Sequence, residues 1–161
     1  MKKYIVIGNP IEHSLSPLIH NHWIKKYKLK DSIYEKKQVE KKDLKNIIDQ
    51  IKNDEIRGAN ITVPFKQEII PLLDKIDRVA KVTYSVNTLY KVGKEVWGYN
   101  TDSKGFNESL IDINYKNKNI FILGAGGVTA SVIYNFINTT NKIYVSNRTK
   151  KKAENLKKLY S

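Results

Sequence analysis

Ile120-Phe121-Ile122-Leu123 runs directly into Gly124-Ala125-Gly126-Gly127-Val128-Thr129, and Asn147-Arg148-Thr149 closes the next apolar stretch, Ile143 to Ser146. An apolar strand that ends in a glycine-rich turn and opens a helix is a dinucleotide-binding βαβ signature. The missing side chains let backbone N–H groups approach a pyrophosphate at the positive end of the helix. Alone, Gly-x-Gly-x-x-[Gly/Ala] is a weak signal; the strand before it and the helix after it make it useful. Thr129 stands at the third small position, where it is expected to crowd the helix slightly against the strand. In this signature a carboxylate at the end of the second strand takes the ribose 2′-hydroxyl, whereas an arginine there accommodates a 2′-phosphate. Asn147, Arg148 and Thr149 offer hydrogen-bonding and positive groups and no carboxylate, so NADP is favoured over NAD. The expected cofactor residues are Gly124, Ala125, Gly126, Gly127, Val128, Asn147, Arg148, Thr149 and, from the triplet Lys150 to Lys152, Lys152.

Outward from this motif, 161 residues suffice for one ordinary domain or two small ones. There is no cysteine, hence no disulfide framework, thiolate metal site or thiol nucleophile, a composition compatible with the cytoplasm. The start, Met1 to Gly8, is basic but carries too short an apolar run for a signal-peptide core or a membrane span. The net charge of +13 raises the question of nucleic acid. Its make-up argues otherwise: 26 lysines dispersed along the chain, three arginines (Arg57, Arg78, Arg148), 21 isoleucines and 16 asparagines match an A/T-rich coding bias. Such a surface lacks the arginines that read bases and clamp phosphates, yet it attracts small anions. Neither nucleic acid nor membrane is expected as a partner.

The remaining chain alternates extended and helical patterns. Strands are expected at Tyr4 to Ile7, Ser32 to Val39, Ala59 to Val63, Val86 to Lys91 and Glu95 to Tyr99, the last two joined by a hairpin at Val92-Gly93-Lys94. Helices are expected at Pro17 to Tyr27 with Ser16 as N-cap, Lys42 to Lys52, Gln67 to Leu73, Asp77 to Lys81 and Asp102 to about Leu110. In the second half, the strands Ile120 to Leu123 and Ile143 to Ser146 alternate with helices at Val128 to Asn138 and Lys150 to Tyr160. The fold class is α/β: an N-terminal domain over residues 1–101 with a mostly parallel sheet, then an incomplete Rossmann-type domain over residues 102–161. Only twelve residues follow Thr149, so the chain is read as truncated within that second domain. An open sheet edge there would invite pairing of two copies.

Four upstream segments carry further chemistry. They are Gly8-Asn9-Pro10-Ile11-Glu12-His13-Ser14-Leu15-Ser16-Pro17 with His20-Asn21, Asn60-Ile61-Thr62-Val63-Pro64-Phe65-Lys66, Ser85-Val86-Asn87-Thr88-Leu89, and Asn100-Thr101-Asp102. Ser14 and Ser16 alternate with Leu15, so an extended segment would turn both hydroxyls to one side, able to grip a carboxylate. Lys66 and Asp102 suit oxidation of an alcohol, which needs a hydride acceptor and a group that manages the hydroxyl proton. From spacing alone Lys66 could equally be a surface lysine after a proline. Asn60 would orient Lys66 or satisfy a turn. His13, His20 and His22 lack the pattern of a metal site, and no metal is expected.

Together with the glycine turn and Asn147-Arg148-Thr149, these segments resemble the shikimate dehydrogenase family in content and order. The resemblance implies reversible NADP-dependent hydride transfer between shikimate and 3-dehydroshikimate, in chorismate and aromatic amino-acid biosynthesis. It implies Lys66 as acid/base with Asp102 as partner, and Ser14, Ser16, Thr62, Lys66, Asn87 and Asp102 as substrate contacts. It leaves two alternatives: a truncated, inactive ligand-binding relative, or a quinate/shikimate dehydrogenase. Ala130 and Ser103 depart from a basic residue and a glycine common in the family. The segments that follow in full-length relatives imply that this chain alone is weakly active or inactive.

Overall fold

The computed structural model describes residues 1–160 and packs as two compact units. The first comprises Met1–Asp77 and Val86–Tyr99; the second comprises Arg78–Ser85 and the chain from Asn100 onward.

The first unit is built on a six-stranded mixed sheet. Its strands are β1 (Lys2–Gly8), β2 (Ser32–Gln38), β3 (Gly58–Ile61), β4 (Lys75–Ile76), β5 (Thr88–Val92) and β6 (Glu95–Tyr99), in the order β2-β1-β3-β5-β6-β4. β1 runs parallel to both β2 and β3, and β4 runs parallel to β6, whereas β5 is antiparallel to both its neighbours. The parallel links need crossovers, supplied by helix α1 (Ser16–Lys26) between β1 and β2 and helix α2 (Leu44–Lys52) between β2 and β3. The expected hairpin at Val92-Gly93-Lys94 forms, with Val92 paired to Glu95 across Gly93 and Lys94.

Paired residues in register share a face of the sheet, so the two faces can be read from burial. Ile5, Ile7, Ala59, Ile61, Leu89 and Val96 form one face, and all are buried. α2 packs on β5 and β6 and buries Leu44, Ile47, Ile48 and Ile51, the helical spacing read from the sequence. The other face carries Tyr4, Val6, Tyr34, Asn60, Thr88, Tyr90, Trp97 and Tyr99. There Val6, Ile11 and Tyr34 make a small core with Tyr4 and with Ile24 of α1. Beside it lies a groove of about 1020 Å³, lined by Trp23 and Tyr27 of α1 and by Tyr4, Gly58 and Tyr90 of the sheet.

Several boundaries differ from expectation, each for a local reason. The helix expected at Gln67 to Leu73 is only a 3-10 turn at Ile70–Leu72, with Pro71 inside it lacking the N–H that helix continuation requires. The edge strand β4 has no sequence pattern of its own. It exists because Asp74 pairs with Val96 twice: its N–H donates to the Val96 carbonyl at 3.1 Å, and its carboxylate accepts from the Val96 N–H at 2.7 Å. That N–H and the ammonium of Lys52 hold the Asp74 carboxyl below its ordinary pKa. The helix expected at Lys42 to Lys52 is preceded by a 3-10 turn at Lys41–Asp43, closed by a capping box between Glu40 and Asp43.

In the second unit, helices α3 (Arg78–Thr83) and α4 (Asp102–Ser109) pack on α5 (Thr129–Tyr134). A parallel pair, β7 (Asn119–Leu123) and β8 (Lys142–Ser146), and helix α6 (Lys150–Tyr160) complete it. Ala130, Ile133 and Phe136 are its buried apolar centre, with Phe106 and Tyr115 meeting Phe136 edge-on. α5 is shorter than the expected Val128 to Asn138. Asn135 Nδ2 bonds back to the Ser131 carbonyl, and Phe136 N–H reaches Ile133, so the last turn tightens and ends. Among the described residues no helix is long and apolar enough to cross a membrane.

Ile51 is fully buried beneath the sheet. Ile51→Ala should destabilise the protein by about 3 kcal/mol, the usual scale for truncating a core aliphatic side chain, and lower the urea midpoint without changing the far-ultraviolet spectrum of the folded state.

Candidate active-site segments

Parallel strands point their carboxyl ends the same way, and in open α/β sheets ligands bind in the crevice outside those ends. In the first unit this places the loop after β1 (Asn9 to Leu15) and the segment after β3 (Thr62 to Lys66) side by side. Asn9 N–H donates to the Val63 carbonyl at 3.0 Å, and Thr62 N–H donates to the Ile7 carbonyl at 3.0 Å. The approach depends on Gly8: a Cβ there would lie 2.6 Å from Thr62 Cγ2 and 3.1 Å from the Val63 carbonyl oxygen. The peptide bonds Asn9–Pro10 and Val63–Pro64 in these two segments are both cis.

Asn87 joins the same end through its main chain. Its carbonyl accepts the Ile61 N–H and its N–H donates to the Tyr99 carbonyl, both at 2.9 Å, so it bridges β3 and β6 just before β5 begins. Lys66 is tied to this stretch by its carbonyl, which accepts the Val86 N–H at 2.9 Å, and its side chain is half-buried. Ser14, Ser16, Thr62, Lys66 and Asn87 thus all sit on segments leaving one end of one sheet. Ser14 and Ser16 are half-buried while Leu15 between them is exposed.

Three local features differ from expectation. Leu15 has helical dihedrals, φ −87° and ψ −2°, so the serines lie on a turn and not on an extended segment. Ser16 does not cap α1: it is the first residue of the helix, Leu15 stands at the N-cap position, and Ser14 Oγ accepts the Ser16 N–H at 3.3 Å. Asn60 is not a turn residue, and its amide is spent on partners other than Lys66. It lies within β3 and bonds to Tyr34, Thr88 and the Asn87 carbonyl.

In the second unit, Asp102 is the first residue of α4, and Asn100 sets the start of that helix. The Asn100 side chain is buried; its Oδ1 accepts the Ser103 N–H at 3.2 Å. Its Nδ2 reaches Thr83 Oγ1 at 2.9 Å, the Ser85 carbonyl at 3.0 Å and Ser131 Oγ at 2.8 Å. One amide therefore holds α3, α4 and α5 together, a role that no sequence pattern discloses. Ser103, which departs from a family glycine, is buried beside it.

The glycine turn has the conformation its sequence demands. Gly124 has φ +114°, closed to side chains, and a Cβ on Gly126 would meet no atom within 4 Å. Gly124 N–H donates to the Ser146 carbonyl at 2.7 Å, extending the β7–β8 ladder into the turn. Thr129 does not crowd the strand. It is buried, and its hydroxyl accepts the Gly126 N–H at 3.0 Å and donates to the Gly124 carbonyl at 3.2 Å, stapling the turn from within. Asn147 ties the two motifs to each other: Oδ1 accepts the Ala125 N–H at 3.0 Å and Nδ2 donates to the Thr149 carbonyl at 2.9 Å. With Ala125 and Gly126 engaged in this way, the N–H groups of Gly127 and Val128 find no acceptor among the described residues. Ser85 Oγ closes on the Gly127 carbonyl at 3.4 Å. Arg148 is exposed at the end of β8, and of the three lysines after it Lys150 pairs with Glu154 at 3.9 Å.

The family described as shikimate dehydrogenase substrate binding domain matches residues 6–89. The shikimate dehydrogenase (NADP(+)) of Pelagibacter ubique is 49% identical over 160 residues, covering 98% of this chain and 60% of the relative. The crystal structure of shikimate dehydrogenase from Aquifex aeolicus superposes with a TM-score of 0.90 at 39% identity, covering 99% of this chain and 60% of that one. That of the Thermus thermophilus enzyme, solved in complex with NADP(H) and shikimate, gives 0.88 at 30% identity, with 99% and 61% covered. The chain thus spans about 60% of the length of the relatives it matches, with the serine loop, the lysine segment and Asn87 inside the family match, and it belongs to the shikimate dehydrogenase family.

Proposed function

We propose that the protein carries out the NADP-dependent interconversion of shikimate and 3-dehydroshikimate, in the biosynthesis of chorismate and the aromatic amino acids. The observation that carries this reading is the convergence of the serine loop, the Thr62–Lys66 segment and Asn87 on the carboxyl ends of β1 and β3. Residues 1–101 would act as the substrate domain and residues 102–161 as the opening part of the NADP domain. A cysteine-free, lysine-rich chain acting on a small anionic metabolite accords with the cytoplasm. The exposed Phe121, Leu123 and Tyr144 on β7 and β8 would favour self-association of two copies.

In this reading Ser14 and Ser16 hold the carboxylate with neutral hydroxyls, which supply hydrogen bonds without a competing charge. Thr62 and Asn87 contact the ring hydroxyls. Lys66 takes or returns the proton of the reacting hydroxyl, and its positive charge stabilises alkoxide character as the hydride leaves. Asp102 partners Lys66 in that proton transfer.

Bound NADP supplies the hydride acceptor. The second unit fits it: an open Gly126, the N–H groups of Gly127 and Val128 for pyrophosphate, and Arg148, Thr149 and Lys152 for the 2′-phosphate. Asn147 contributes by tying the glycine turn to the Arg148 segment.

Titration of the purified protein with shikimate should perturb the amide resonances of Ser14, Thr62, Lys66 and Asn87; a titration that leaves all of them unmoved refutes the reading. Whatever turnover of NADP+ and shikimate the protein sustains should fall by at least about 100-fold in Lys66→Met, as expected for loss of a proton-transfer group. Arg148→Ala should weaken NADP+ by about 10-fold or more, the scale of a hydrogen bond to a charged group, and leave NAD+ binding nearly unchanged. Equal losses for the two cofactors would remove Arg148 from the 2′-phosphate site.

A further inference from the structure

α1 opens at Ser16, so the place of this helix on the sheet decides where the serine turn stands. Packing alone does not settle that place. No side chain of α1 is buried, and Leu18, Ile19 and Trp23 are exposed. Apolar contact has no direction, so a helix that buries so little can slide or roll on a sheet at small cost. Asn21, five residues beyond Ser16, supplies a directional tie. Its Oδ1 accepts the Tyr34 N–H at 3.0 Å and its Nδ2 donates to the Tyr34 carbonyl at 2.8 Å. β2 is an edge strand, and a sheet edge presents main-chain donors and acceptors that no further strand answers. The Asn21 amide answers both groups of one residue, as the peptide of a neighbouring strand would.

Tyr34 meets the serine segment on both of its flanks. Ahead of the serines, Ile11 packs with Val6 against Tyr34, and Ser14 N–H donates to the Ile11 carbonyl at 3.0 Å. Beyond them, the His20 ring stacks on the phenol, with centroids 4.1 Å apart and planes inclined by 6°. Tyr34 is itself fixed from the interior of the sheet. It pairs in register with Tyr4 of β1, and its hydroxyl donates to Asn60 Oδ1 on β3 at 2.6 Å. β3 is the strand that sends out the Thr62–Lys66 segment. Through Tyr34, the serine turn is therefore referred to the same strand as the lysine segment.

Two neutral hydroxyls bind a carboxylate only where they are well placed. A hydrogen bond weakens steeply below about 120°, whereas the attraction of a charged group falls slowly with distance and has no angular demand. We propose that Asn21 is a positioning residue for the substrate carboxylate: by locking α1 to Tyr34 it holds Ser14 and Ser16 where both hydroxyls reach one carboxylate. The proposal rests on the functional reading above, in which these serines are the carboxylate contacts. Loss of the tie is felt at the charged end of the ligand and not at its ring hydroxyls, which Thr62 and Asn87 meet from the sheet itself.

The test uses Asn21→Leu, which removes the amide, keeps a comparable volume and favours a helix. Two ligands are followed by NMR chemical-shift titration, which reads weak binding: shikimate, and the same ring triol without its carboxylate. Shikimate affinity should fall about 10-fold, the scale of a hydrogen bond to a charged group, while affinity for the triol stays near the wild-type value. Equal losses for the two ligands, or no loss for shikimate, overturn the proposal. A second readout needs no ligand. The amide resonances of Ser14 and Ser16 should shift and the Tyr34 N–H should exchange at least about 10-fold faster, while the amides of Ile47 and Ile51 in α2 keep their exchange rates. Unmoved Ser14 and Ser16 resonances overturn it. A wild type that binds neither ligand refutes the functional reading and the proposal with it; a wild type and an Asn21→Leu that bind shikimate equally well refute the positioning role alone. Should Asn21→Leu not fold, Asn21→Ala removes the same amide and is read by the same measurements.

Discussion

The parallel pairing of β1 with β3, from Tyr4 against Gly58 to Ile7 against Ile61, is the constraint from which the substrate segments take their places. Parallel strands send both following segments off the same end of the sheet, so the serine loop after Gly8 and the lysine segment after Ile61 become neighbours although some fifty residues separate them. Two main-chain hydrogen bonds and the bare Cα of Gly8 close the remaining gap. Asn87 arrives from the opposite chain direction, at the start of an antiparallel strand, which is why its carbonyl can pair with Ile61 while its side chain stays at the same end.

Polar side chains are used in this protein mainly to hold one another. Asn60, Asn100 and Asn147 each spend both ends of an amide on structure, and each does so beside a segment that carries chemistry. A buried amide left unpaired costs more than an ordinary surface contact gains, so such residues specify geometry strongly. Thr129 does similar work at the glycine turn, where a hydroxyl accomplishes what a third small residue accomplishes by absence.

Much of this was legible in the linear chain. The apolar run Tyr4 to Ile7, the helical spacing of Leu44, Ile47, Ile48 and Ile51, the hairpin at Gly93-Lys94 and the glycine turn all follow local periodicities that their surroundings respect. What was not legible depends on partners distant in sequence. β4 is two residues long and owes its existence to Val96. Ser16 begins α1 instead of capping it because Leu15 turns instead of extending, and α5 ends early because Asn135 competes for a helix carbonyl.

The linear chain sets the kinds of group available: neutral hydroxyls at Ser14 and Ser16, an ammonium at Lys66, a carboxylate at Asp102, a glycine turn before a helix, and an arginine in place of an acid after the second strand. Those are properties of residue type and short spacing, which survive without a fold. The direction in which an amide points is of another kind. Whether Asn60 faces Tyr34 with oxygen or nitrogen depends on donors and acceptors brought together from β2, β3 and β5. Only the tertiary structure decided it, because a hydrogen bond has a direction that no single strand can set.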